Sequence, residues 1–209
     1  MNEPDVPGRV QPVASLREYF SDALDGALAH QHVSMDGQTR HYVVELLTLF
    51  SRAEALHASD DGKRGPKPLA LMLKDALEAA TEAERSAHLQ RLGDVSLFIA
   101  GFFARSFARR LVDVDYHVAM GGRAYGALAD RLRTGRRAVL GEVFAELAGK
   151  FQPLVDALNE ISEAGYTHTQ RDVLRLYEIW LKTGSPRARR LLGGLGIEPT
   201  SSARSAFAH

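Results

Sequence analysis

The sequence predicts an all-α, single-domain helical bundle of about seven or eight helices, mostly antiparallel neighbours, and three observations carry that expectation. Apolar residues recur at three- and four-residue spacing through most of the 209-residue chain, the period of one buried helical face. Capping signals stand where those patterns begin. No window alternates apolar and polar residues long enough to build a strand, and the connections are mostly short, as between antiparallel neighbours.

Residues 1–14 carry three of the eight prolines and no periodicity, so a flexible arm is expected before a helical domain at 15–193 and a loose tail at 194–209. The first helix opens at Ser15, where the Ser15–Glu18 spacing is that of a capping box, and turns Leu16, Tyr19, Phe20, Ala23, Leu24, Ala27 and Leu28 inward. A second is predicted from about Thr39 to Leu56, with Tyr42, Val43, Leu46, Leu47 and Phe50 on its inner face. After an exposed loop at Ser59–Lys67, Pro68 suits the start of a third helix that ends near Ala80.

Thr81 and Glu84 form another capping box, ahead of a long helix with Leu92, Val95, Ile99, Phe102 and Phe103 inward and glycines at 93 and 101 as places to bend. Asp113 or Asp115 caps the next helix, which runs to about Arg133. The apolar pattern from Val139 to Ile161 must kink or split at Pro153, whose ring lacks a backbone donor and clashes one turn back. Thr169 with Asp172 marks a further cap, Gly184 ends the helix that follows, and Ser185-Pro186 opens a short last one.

Composition removes several classes of function. Lysine plus arginine equals aspartate plus glutamate at 26 each, so the overall field gives no reason to expect nucleic acid or an anionic membrane as partner. The absence of cysteine excludes disulfides, thiolate-bound zinc, iron–sulfur clusters and a cysteine nucleophile. The polar, proline-rich start lacks the apolar run of a signal peptide, and a cytoplasmic location is expected. The most apolar stretch, Val95–Ala104, is too short to span a bilayer and is expected to be core.

Four features bear on chemistry. Tyr116, His117, Arg123 and Tyr125 lie within three turns and could hold an anionic or aromatic ligand, Arg123 supplying the fork that carboxylates and phosphates favour; the alternative is amphipathic side chains with packed bodies and wet tips. His41 with Glu45, and Asp113 with His117, are i,i+4 pairs that would together offer iron, manganese or zinc two imidazoles and two carboxylates. No Glu-x-x-His or His-Glu-x-x-His motif supports them, and the primary expectation is no cofactor. Gly122, Gly126 and Ala129 share one helical face, which admits a close neighbouring helix or a flat ligand. Arginine-rich stretches at 105–110, 131–137 and 187–190 would make a basic face if the fold joined them, or else cap and solvate helix ends.

Walker, Rossmann and Gly-x-Ser-x-Gly motifs are missing. The phrase Leu92–Phe103 followed by the glycine-rich Tyr116–Tyr125 resembles a bacterial protein family, and the resemblance implies no named activity and no residue roles. The first expectation is therefore an interaction or regulatory protein that binds a protein partner or itself, through the Gly122/Gly126 face or the Phe102/Phe103/Phe107 surface. The alternatives are a metal- or small-ligand-binding enzyme or carrier with its site between the His41 and His117 helices, and a nucleic-acid binder through the arginine clusters.

Overall fold

A computed structural model describes residues 16–51, 67–103, 114–134, 137–164 and 166–199. Among these residues the secondary structure is wholly helical: α1 (Leu16–His30), α2 (Gly37–Phe50), α3 (Leu69–Glu78), α4 (Glu82–Phe102), α5 (Val114–Leu132), α6 (Ala138–Gly149), α7 (Phe151–Ser162), α8 (Val173–Thr183) and α9 (Pro186–Gly194), with a 3-10 turn at Gln170–Asp172 before α8. The described residues thus hold nine helices where the sequence suggested seven or eight. The Val139–Ile161 pattern does split, but at Lys150; Pro153 stands in the first turn of α7, where its missing amide has no helical acceptor to lose.

Local chemistry explains several of the helix ends. The Thr81 hydroxyl accepts from the Glu84 amide at 3.1 Å while the Glu84 carboxylate accepts from the Thr81 amide at 3.1 Å, as the spacing predicted. Asp36 caps α2 by accepting from the Gln38 amide at 2.8 Å. Gly184 ends α8 in the left-handed region at φ +71°, where glycine carries no Cβ penalty, and Ser185 caps α9 with Pro186 in its first turn. The second helix ends at Phe50 with Ser51 as its C-cap, short of the predicted Leu56; the predicted Ser15 cap and most of the 59–67 loop lie outside the described residues.

Helix α4 is the centre. From Leu92 to Gly101 all but Asp94 are buried, so the helix is enclosed nearly all round, as expected for the most apolar stretch of the chain. It packs on α5, α3, α7 and α2, while α5 also packs on α6, and α1 lies against α2 and α7. The helix runs unbroken through Gly93 and Gly101. Each marks a close approach: a Cβ at Gly93 would overlap the Tyr125 ring, and one at Gly101 would overlap the Leu158 side chain.

A second, smaller hydrophobic cluster forms where α8 meets α9, from Leu176, Trp180, Ala188 and Leu192, with Ile197 packed on it. Its junction with α7 is polar. The Ser185 hydroxyl donates to both Asp156 oxygens, at 2.7 and 2.8 Å, and Glu163 accepts from Arg187 at 2.8 Å and Arg175 at 3.2 Å.

Candidate functional site

The four predicted ligand-binding residues all lie on α5 but divide between two sides. His117 and Tyr125 are buried, whereas Tyr116 and Arg123 are exposed. Burial lowers the His117 pKa to about 4, so its imidazole is neutral at physiological pH. The small-residue face also differs from expectation. A Cβ at Gly122 or Gly126 would stand 3.8 Å from Phe151 or 3.9 Å from Ala148, ordinary contacts with the chain's own α6–α7 corner. The tight approach on α5 is at Gly121, where a Cβ would overlap Phe151 and Ser96.

Of the four metal-ligand candidates, Asp113 lies outside the described residues. His41 is exposed, beside a hollow of about 390 Å³ also lined by Arg17, Ser21 and Arg40. Glu45 is engaged by Arg17, and His117 is buried in α5. No group of three or more histidine, aspartate or glutamate residues able to hold a metal ion occurs among the described residues.

Three arrangements stand out from the rest of the packing. The first is a polar tie within the bundle. One Asp94 oxygen accepts from the Tyr42 hydroxyl at 2.6 Å and from the Tyr125 hydroxyl at 2.7 Å, and the Gln90 amide donates to the Tyr42 oxygen at 3.0 Å. Helices α2, α4 and α5 are joined through that single atom. Burial pushes Asp94 up to about 6, against the opposing pull of the tyrosine hydroxyls and Arg91. Burial and the adjacent carboxylate push both phenols well above their usual range, which keeps them as donors.

The second is the α7–α8–α9 junction. Burial alone would raise Glu163, but Arg187 and Arg175 hold it below the usual carboxylate range. Asp156 stays above that range because its burial outweighs the bonds from Ser185, the Arg187 amide and Gln152. The 187–190 arginine stretch therefore contributes its first member to an internal ion pair, while Arg189 and Arg190 remain exposed. The 105–110 stretch lies outside the described residues.

The third is a groove of about 310 Å³ between α3, α4 and α5. Leucine, alanine and methionine side chains line it, Leu73, Leu89, Leu92 and Met120 among them, and its polar lining among the described residues is Arg85, Arg123 and Arg131. Arg85 donates to the carbonyls of Ala76 and Leu77 at 3.1 and 3.2 Å, closing the end of α3. Arg131 donates to Glu82 at 2.6 Å. Arg123 makes no ion pair or hydrogen bond with any described residue.

Arg123 is thus the member of the predicted ligand set that stands on a cavity, while Tyr42, Asp94 and Tyr125 line neither hollow. Sequence reading missed both the tie and the groove. A single acid between Gly93 and Val95, inside the most apolar helix of the chain, was the available signal for the tie. The groove had no comparable sign, because it arises from the spacing between three helices.

The chain matches no protein-family model, no curated protein and no solved structure. No described helix is long and apolar enough to cross a membrane.

Proposed function

We propose that this chain is a helical binding protein, of the regulatory or carrier kind, whose ligand lodges in the α3–α4–α5 groove. The observation that supports this reading is the lining: an apolar trough edged by arginines, one of which has no partner among the described residues. Ligand sites are concave and mostly apolar, with a few polar groups that fix orientation, and they begin at about 300 Å³. Binding without catalysis is the simpler reading, since among the described residues no acid, base or nucleophile joins the arginines in the groove's lining.

An anionic apolar dye, anilinonaphthalene sulfonate, tests it in a fluorescence titration of the full chain. Saturable binding is expected, and Ala127→Trp, which sets an indole at an exposed position of the groove wall, should weaken it. Unsaturable binding, or binding that Ala127→Trp leaves unchanged, would contradict the reading.

Self-association is a second reading, favoured by α8. Leu174 is 78% exposed, and the half-buried Tyr177 and Leu181 follow at helical spacing on the same side. Sedimentation of wild type and Leu174→Glu decides it: a concentration-dependent dimer lost in the variant supports it, and a wild-type monomer refutes it.

A further inference from the structure

We propose that the α3–α4–α5 groove takes a single-chain aliphatic carboxylate, with its tail along Leu89 and Leu92 and its head group on Arg123. This rests on the groove being the binding site and adds the chemical class of the ligand.

The tail follows from the floor. Apart from three guanidinium groups, the described lining offers no side-chain donor or acceptor. A sugar, a nucleoside or any other polyhydroxylated ligand would have to leave hydroxyls unpaired there, and burying an unpaired polar group is unfavourable. An alkyl chain leaves nothing unpaired and gains from every methylene removed from water. The 310 Å³ volume suits one chain of moderate length.

The head group follows from how the arginines are engaged. Glu82 lies near both Arg131, at 2.6 Å, and Arg85, at 3.5 Å, and Arg85 also closes the last carbonyls of α3. Among the described lining arginines and their ion-pair partner, one carboxylate stands against three guanidiniums at the rim, a formal excess of two positive charges. Arg123 is exposed and has no described partner, so its planar fork is open to a carboxylate, the anion it pairs with bidentately. A cationic head group would meet repulsion along that rim.

Calorimetric titration of the full chain tests the proposal, with hexanoate, octanoate and decanoate below micellar concentrations, decanol as the neutral control and decyltrimethylammonium as the cationic one. The expected result is one-to-one binding of the carboxylates that tightens about four-fold per added methylene until the groove is filled. Decyltrimethylammonium should bind more weakly than decanol. Arg123→Gln should weaken decanoate about ten-fold and leave decanol unchanged, with Arg123→Lys intermediate. If decanol and decanoate bind equally and Arg123→Gln alters neither, the head-group assignment is overturned while the groove stands. If no alkyl compound binds, or if Ala127→Trp weakens none of them, the groove itself is overturned as the site. Arg123 and Ala127 are both exposed, so neither variant disturbs the core; a melting temperature close to wild type verifies this.

Discussion

Asp94 and His117 show how burial gives single residues opposite effects on stability. Asp94, held near 6 in the folded chain against about 3.9 unfolded, binds its proton more tightly when folded. Its contribution is fullest below about pH 4 and is lost as pH rises through 6. His117, lowered to about 4 from about 6.5, does the reverse: its contribution is full above about pH 6.5 and is lost as pH falls through 4. Each shift is on the order of 3 kcal/mol at its limit, and the slopes oppose each other between about pH 4 and 6. Urea melts across that range should show Asp94→Asn gaining stability relative to wild type as pH rises, and His117→Gln losing it. Parallel curves for all three proteins would contradict these environments. Tyr125→Phe, which removes one of the two hydroxyls bound to Asp94, should cost about 1–3 kcal/mol in the same melts at neutral pH.

This tie was only partly legible. The inward positions of Tyr42 and Asp94's neighbours follow from helical periodicity, but periodicity does not say which polar atoms meet across helices. Tyr125, one of the ligand candidates, is buried, with its ring in the space that Gly93 leaves open and its hydroxyl on Asp94. Arg123 could be singled out as an anion-binding candidate from its chemistry alone, whereas its position over an apolar trough depends on α3, about fifty residues distant in sequence.

Among the elements, helix type and most boundaries were legible because caps and breakers act locally: Thr81 with Glu84, Gly184 and Ser185-Pro186 all sit where the sequence placed them. The roles of the glycines were not, since a helical glycine reads as a bend or as a contact with equal ease until its neighbour is known. Gly93→Ala should therefore destabilise the fold by about 1–3 kcal/mol through overpacking against Tyr125, although alanine is the better helix former. A melting temperature equal to or above wild type would contradict that contact. The α8–α9 pair makes a separate test. Ser185 caps α9 and binds Asp156, so Ser185→Ala should cost about 1–2 kcal/mol. Glu163→Gln, which leaves two guanidiniums without their carboxylate, should cost more, about 3 kcal/mol. Hydrogen exchange should locate both losses in α8 and α9 ahead of α4; uniform loosening of every helix would contradict a polar junction between two hydrophobic clusters.

Across the whole molecule, equal numbers of acids and bases conceal an uneven distribution. Arg131 and Arg187, members of two arginine-rich stretches, are engaged by Glu82 and Glu163, which takes two charges from any continuous basic face. At the groove the balance is locally positive and the surface beneath it apolar, and that combination, more than any motif, is the basis for reading the chain as a binding protein. Methyl NMR of the four methionines tests this most directly, because Met120 lines the groove while Met35 packs at another part of the bundle. Titration with decanoate should move the Met120 signal saturably, leave Met35 in place, and lose its effect on Met120 in Ala127→Trp. A Met120 signal that stays fixed while the ligand is bound would place the site elsewhere and contradict the account.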